Sequence, residues 1–239
     1  MMILNTVFKK MSVASAACFI GLSGVAVAAD DTSIYAGVNH RDQANFSYIG
    51  VTHNLTDEYF AEGVLIRAKA GVANYDYSTT LQPKVDGKAD MFEFMIGYQK
   101  AMQTYLARAF IGLDYEDHTL NPDNLFDKNR GSDQGAKVAL EVETDPTTPN
   151  YGLVLASYGS AKDRYRVKVR AGQEYFGLIG GVEAVLLGDQ AYKENRIGIF
   201  VNAKRTAPVM FSVGAGFADP DSYRGDIGAY LTLEVSRMF

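Results

Sequence analysis

The chain has 239 residues, 23 of them basic and 28 acidic, is 47% hydrophobic, and carries 15 Tyr and 23 Gly but no Trp. The acidic balance argues against a nucleic-acid partner, for which an overall basic face is the usual footprint. Its one cysteine, Cys18, lies so early that the rest of the chain has no thiol for a disulfide, a nucleophile or a metal.

Residues 1–29 read as a secretory signal. Lys9 and Lys10 give a positive start, Met11 to Val25 is apolar and small, and Ala26-Val27-Ala28 has the form of a cleavage site. Ser15 stands where a lipoprotein signal wants Leu, which argues against lipidation of Cys18. Without Lys9 and Lys10, 21 basic residues face 28 acidic ones, a net charge of −7. Residues 30–239 are expected to form one domain. No apolar run there is long enough for a membrane helix, so a membrane location would require a closed barrel that pairs its own backbone.

Read for period, residues 30–239 alternate strand after strand, with no stretch where a helical repeat wins. Twelve strands are expected, giving an all-β, antiparallel, up-and-down transmembrane barrel. The first six lie near Ser33–Asn39, Asn45–His53, Tyr59–Ala73, Lys88–Lys100, Gln103–Glu116 and Asp133–Glu143. The second half adds Asn150–Gly159, Arg164–Glu174, Leu178–Leu187, Lys193–Lys204, Pro208–Ala218 and Asp226–Phe239.

What occupies each face matters more than the count. In the fifth strand Tyr105, Ala107, Ala109, Ile111, Leu113 and Tyr115 share one face, against Arg108, Phe110, Gly112 and Asp114. A Tyr at each end of an apolar stripe matches a lipid band with interfacial girdles. In the eighth strand Tyr165, Val167, Val169 and Ala171 oppose Arg164, Arg166, Lys168 and Arg170. Ile197, Ile199 and Val201 likewise oppose Arg196, Phe200 and Asn202. A soluble sandwich shows the same alternation, but secretion, strand length and the aromatic girdles favour the barrel.

Loop parity gives a second test. With the N-terminus in the periplasm, odd-to-even links face outward and should be longer. The two longest links, 74–87 and 117–132, are both of that kind. Even-to-odd links such as Ala101-Met102, Tyr175–Gly177 and Arg205–Ala207 are tight.

Candidate chemistry is sparse. The histidines are His40, His53 and His118, the first and last placed near the outer rim and read as solvated loop residues. The acids Asp114, Glu116, Asp117, Asp123 and Asp127 surround the fifth-to-sixth link, but Lys128 and Arg130 intervene and the spacing is not that of a calcium loop. No metal or other cofactor is expected, and no enzyme motif is found. The candidate lumen or ligand-binding set is Arg164, Arg166, Lys168 and Arg170 with Arg108 and Arg196. These could favour anionic or hydroxyl-rich solutes. Alternatively they pair across the lumen with Glu141, Glu143, Glu174, Glu183 and Glu194, since unpaired charge in a narrow interior is costly.

In the closing stretch, Ile227, Ala229, Leu231, Leu233 and Val235 alternate with Tyr230, Thr232, Glu234 and Ser236 and end at Phe239. An alternating strand closing on Phe resembles the assembly signal of bacterial outer-membrane barrels, here Leu231, Leu233, Val235 and Phe239. That implies outer-membrane lipids and the barrel-insertion machinery as partners, in a Gram-negative outer membrane.

A narrower resemblance comes from Gly97-Tyr-Gln99, Gly112-Leu-Asp-Tyr-Glu116, Asn121-Pro-Asp123 and Arg130-Gly-Ser-Asp-Gln-Gly-Ala-Lys137. Gly181-Val-Glu-Ala-Val185, Gly188-Asp-Gln-Ala-Tyr192 and Ile197-Gly-Ile-Phe200 follow in order. From about Tyr75 to Phe239 the chain resembles the cellulose biosynthesis protein BcsS family. The resemblance implies a non-enzymatic barrel acting beside a cellulose-synthesis system, with synthesis or export components, or the polysaccharide, as partners. It carries over no catalytic residue, and the main export pore of such systems is a separate, larger protein.

Overall fold

Alternating rows rich in Val, Ile, Tyr and Phe favour extended backbone, and this chain spends most of its length in such rows. The computed structural model describes residues 31–56, 59–78, 84–123, 127–145, 147–203, 209–220 and 226–239. The expected signal segment lies outside them. Twelve strands run in order among the described residues: β1 (Thr32–Arg41), β2 (Ala44–Asn54), β3 (Gly63–Tyr77), β4 (Val85–Ala101), β5 (Tyr105–Asn121) and β6 (Gly131–Thr144), then β7 (Asn150–Gly159), β8 (Arg164–Tyr175), β9 (Leu178–Gly188), β10 (Lys193–Ala203), β11 (Val209–Pro220) and β12 (Gly228–Met238).

Each strand pairs antiparallel with its sequence neighbours, and β1 pairs with β12, so the sheet is a closed up-and-down barrel. Closure removes the free edges an open sheet would present. In the closing pair Asn39 faces Thr232. At the seam Thr32 and Phe239 exchange both backbone hydrogen bonds, at 3.1 and 2.9 Å, and Phe239 is buried. Close packing in the adjoining β1–β2 pair needs small residues. The Tyr48 ring lies over Gly37 and the Tyr35 ring over Gly50, where any Cβ would collide with them.

The outward face records its surroundings. On β4 it runs Asp86, Lys88, Asp90 and then Phe92, Phe94, Ile96 and Tyr98, the last four 48–50% exposed. On β5 the same change falls between Asp117 and Tyr115, the register partners of Asp90 and Phe92. A level boundary between charged and exposed apolar residues is the edge of a lipid-facing band. The inward face of this region holds its own apolar filling, Leu65, Met95, Phe110 and Ala139.

Two expectations change. The third strand starts at Gly63 rather than Tyr59, because Tyr59 to Glu62 form a turn at the end that carries both termini. Asn54 Oδ1 accepts from the Thr56 N–H, and Gln99 Nε2 donates to the carbonyls of Tyr59 and Ala61 at 2.8 and 2.6 Å. These bonds fix a turn where apolar spacing suggested strand. At the far end, much of the expected 74–87 and 117–132 links is strand. β3 runs to Tyr77, β4 starts at Val85 and β5 reaches Asn121, held by an inward cluster of Tyr77, Val85 and Leu120 with Tyr75 against it. Elsewhere hairpins are tight. Phe176 and Gly177 both have positive φ, 52° and 79°, the pattern of a two-residue turn matched to strand twist.

Candidate functional site

The alternation that sends apolar side chains outward sends charges into the lumen, where they must find partners or water. Arg67 on β3 spans to Glu141 on β6 with two hydrogen bonds of 2.5 and 3.0 Å, and its guanidinium sits 3.9 Å from the Phe110 ring centre. A forked pair of this kind is among the stronger charge-assisted contacts. Arg108 lies within 3.7 Å of Glu141 and 3.4 Å of Glu143 and donates to Gln99. Lys69 and Lys137 converge on Glu93 at 2.9 and 2.7 Å. Arg164 reaches Glu116 at 2.7 Å.

Across the lumen, Glu183 is the hub. It receives Arg170 at 2.7 Å and Tyr230 at 2.8 Å, with Lys168 at 3.9 Å. Arg170 also donates to Asn202 and Ser212, at 3.2 and 2.9 Å. Glu194 forms an ion pair with Arg41 at 3.0 Å and accepts from Arg196 and Tyr192. Burial and the Glu194 carboxylate push the Tyr192 phenol, in the link between β9 and β10, well above its usual range. Tyr48 donates to Glu234.

All six expected lumen cations, Arg108, Arg164, Arg166, Lys168, Arg170 and Arg196, point inward. Five of them meet carboxylates, through Glu141, Glu143, Glu183 and Glu194, four of the five acids named for the pairing alternative, as well as Glu116. Arg166 differs. Among the described residues it makes no ion pair, and its buried Nε has no hydrogen-bond partner.

The sequence reading missed Arg41, Arg67, Lys69 and Lys137, and the acid Glu93. The signal was present. Arg67 and Lys69 alternate with Ile66, Ala68 and Ala70 on β3 just as the basic row of β8 alternates with Val167 and Val169.

His118 is not a solvated loop residue. Its position on the extended β5 turns it inward, where it is buried, with Nδ1 at 2.8 Å from the Tyr75 hydroxyl and Nε2 at 3.4 Å from Glu116. His40 lies beside Asn45 at the far end, and His53 beside Thr32 and Asp31 at the terminal end. The acids around the β5–β6 link also disperse. Asp114, Glu116 and Asp117 belong to β5, Asp123 pairs with Arg130 at 2.6 Å, and Asp127 receives Tyr77 and the Asn129 N–H. Among the described residues no three His, Cys, Asp or Glu converge as metal ligands.

The ion pairs divide the lumen into chambers. One of 300 Å³ lies toward the terminal end, with the Tyr59 and Phe60 turn in its wall. One of 250 Å³ lies beyond it, and the two meet at Phe46, Lys69, Glu93 and Arg166. A third, of 130 Å³, opens at the far end.

A family model for the cellulose biosynthesis protein BcsS matches residues 33–239. The chain belongs to that family. The match takes in the first three strands, in which no motif was legible. Among solved structures the chain is similar to the KdgM porin, with a TM-score of 0.50 and 9% identity over 87% of this chain and 99% of that one. LpxR from Salmonella typhimurium gives 0.50 and 13% over 87% and 100%, and the beta domain of the Bordetella autotransporter Brka gives 0.50 and 12% over 89% and 100%. At such identities the likeness is one of fold, an outer-membrane-type barrel. No curated protein matches the sequence.

Proposed function

We propose that this BcsS-family barrel is a non-enzymatic accessory in the production or secretion of cellulose or a related exopolysaccharide, seated in the outer membrane of a Gram-negative bacterium. The family match over residues 33–239 carries the reading. Both termini then lie in the periplasm and the far end faces outward. The closing strand with Leu231, Leu233, Val235 and Phe239 would be the segment read by the insertion machinery. Synthesis or export components, or the polysaccharide, would be the partners.

The lumen supports an accessory role over a transport role, because ion pairs such as Arg67–Glu141, from β3 to β6, and Arg164–Glu116, from β8 to β5, bridge between strands that are not neighbours. Deleting the gene should lower cellulose output, pellicle formation and surface attachment, and the intact gene should restore them. Unchanged output in the deletion strain would end the proposal. A small-solute channel is the second reading, favoured by Arg166, which makes no ion pair among the described residues, standing where two chambers meet. Planar-bilayer recording would then show discrete conductance whose ion preference shifts in Arg166→Glu; a silent bilayer removes that reading. For an outer-membrane hydrolase, His118 is the residue to test. Its engagement by Tyr75 and Glu116 suits a structural role, and His118→Ala is expected to leave lipid and polysaccharide turnover unchanged.

A further inference from the structure

Around the outer mouth, among the described residues, several buried polar atoms have no hydrogen-bond partner: four oxygens, and the donors Arg41 Nε and Arg166 Nε. Asn129, 3% exposed, has an Oδ1 that accepts no hydrogen bond, and the buried Oε1 of Gln43 also accepts none. Both residues line the 130 Å³ pocket. That pocket shares Met91, Arg164 and Tyr192 with the 250 Å³ chamber beneath it. There Asp114, 4% exposed, presents both carboxylate oxygens without a donor. Gly159 makes the room for them, since a Cβ at that position would collide with Asp114. Neighbouring acids are engaged: Glu116 by Arg164, Glu194 by Arg41 and Arg196, Asp127 by Tyr77.

Buried acceptors left without donors are costly and uncommon in a native fold. Four such oxygens along one continuous cleft suit a ligand that brings several O–H donors. The wall opposite is aromatic. Tyr75 and Tyr77 stack with ring centres 6.3 Å apart and planes 17° apart, and both line the pocket with Tyr192. An apolar aromatic wall with a few fixed polar groups is the usual make-up of a small-molecule site. A pyranose ring offers both faces of that match, a C–H surface for the tyrosines and hydroxyls for the acceptors. A hydroxyl also accepts, so either orientation of the Gln43 and Asn129 amides is served. Arg41 and Arg164 are charge-matched by Glu194 and Glu116, and the unpartnered donors along the cleft, Arg41 Nε and Arg166 Nε, are served by a hydroxyl, which accepts as well as donates. The donorless Asp114 carboxylate disfavours an added anion beside it.

We propose that the outer pocket and the chamber below it bind a neutral oligosaccharide, with its hydroxyls on Gln43, Asn129 and Asp114 and a ring against Tyr75 and Tyr77. This deepens the exopolysaccharide reading by naming a ligand class, and rests on that reading only for the choice of a glucan as probe. The test is calorimetric titration of the whole barrel, folded in detergent, with cellotetraose and with tetragalacturonate as its anionic counterpart. Cellotetraose should bind saturably and more tightly than the anion. Asn129→Ala, Asp114→Leu and Gln43→Ala should each weaken it about five- to tenfold, the worth of one hydrogen bond of this kind. Heat-modifiable gel migration establishes that each variant is folded. Should Asp114→Leu not fold, Gln43→Ala, placed in the β1–β2 turn, decides. No saturable binding, meaning that water alone fills the acceptors, overturns the proposal. So does tighter binding of the anion, or unchanged affinity in the variants. Such a failure leaves the cellulose output of the deletion strain as a separate test of the proposed function.

Discussion

Two arcs of the barrel answer to different demands. Strands β3 to β6 have 14 to 17 residues, whereas β7 to β12, with β1 and β2, have 10 to 12. The short strands fit a lipid band and end with it. The long ones continue past its edge, and their outward residues become Asp86, Lys88, Asp90, Asp117 and Thr119. Lipid thus sets the length of one arc, while inward packing around Tyr77, Val85 and Leu120 sets the excess of the other. Extra strand length without extra apolar surface marks a wall that stands in water.

That contrast can be broken at several points. The largest effect is expected at the seam in the short arc, where deleting Phe239 removes its two backbone bonds to Thr32. The heat-modifiable fraction recovered from outer membranes should fall severalfold, and an unchanged fraction would show that closure does not depend on the last residue. Next comes the tall arc's cross-lumen pair. Arg67→Met leaves the Glu141 carboxylate with only Arg108, 3.7 Å away, and should cost about 3 kcal/mol in urea unfolding from liposomes. Arg67→Met with Glu141→Leu should recover most of that, which separates an under-compensated charge from lost packing. Third, Ile111→Arg, midway up the band, should cost about 2–4 kcal/mol. On the same strand Thr119→Arg, above the band, should cost about 0.5 kcal/mol or less. Equal costs would dissolve the boundary between Tyr115 and Asp117.

The smallest effect belongs to the turn after β7. Hydrogen bonds from Tyr158 and Gln190 hold the Asp163 carboxyl below its usual range. A depressed folded value means that its support is present above the unfolded value of about 3.9 and is lost as pH falls through the folded one. A carboxyl titration by NMR should place Asp163 below an ordinary aspartate and return it toward that value in Tyr158→Phe.

Much of this was legible in the sequence, for a physical reason. Period 2 is a local property, so the twelve strands, their faces and the barrel could be read from residues such as Tyr105 to Tyr115 without knowing any partner. The basic row of β8 and its carboxylates were legible in the same way. Which carboxylate each cation meets was not, because Arg164 reaches Glu116 across three intervening hairpins and that choice depends on register around the ring. Tyr59 misled because Gln99, forty residues away, decides its backbone. His118 misled because an extended strand and a polar loop look alike when the outward residues, Asp117 and Thr119, are polar in both. The orphan oxygens of Gln43, Asn129 and Asp114 leave no trace in sequence, since a missing donor is a property of three-dimensional neighbours.

The unequal arcs also give the molecule a direction sideways. At 3.3 Å per residue, five or six additional residues lift one side of the strand frame by roughly 15 Å once tilt is allowed for. The rim is therefore cut obliquely, like a scoop, with the tyrosine shelf on the inner face of its raised side. On the proposed saccharide reading, a linear polymer entering over the low rim of β8 to β10 would meet that shelf end-on. One arriving over the raised side would meet the charged outer face of the wall instead. The oblique rim would then give the proposed site a preferred heading, a property that neither charge nor lumen volume would supply.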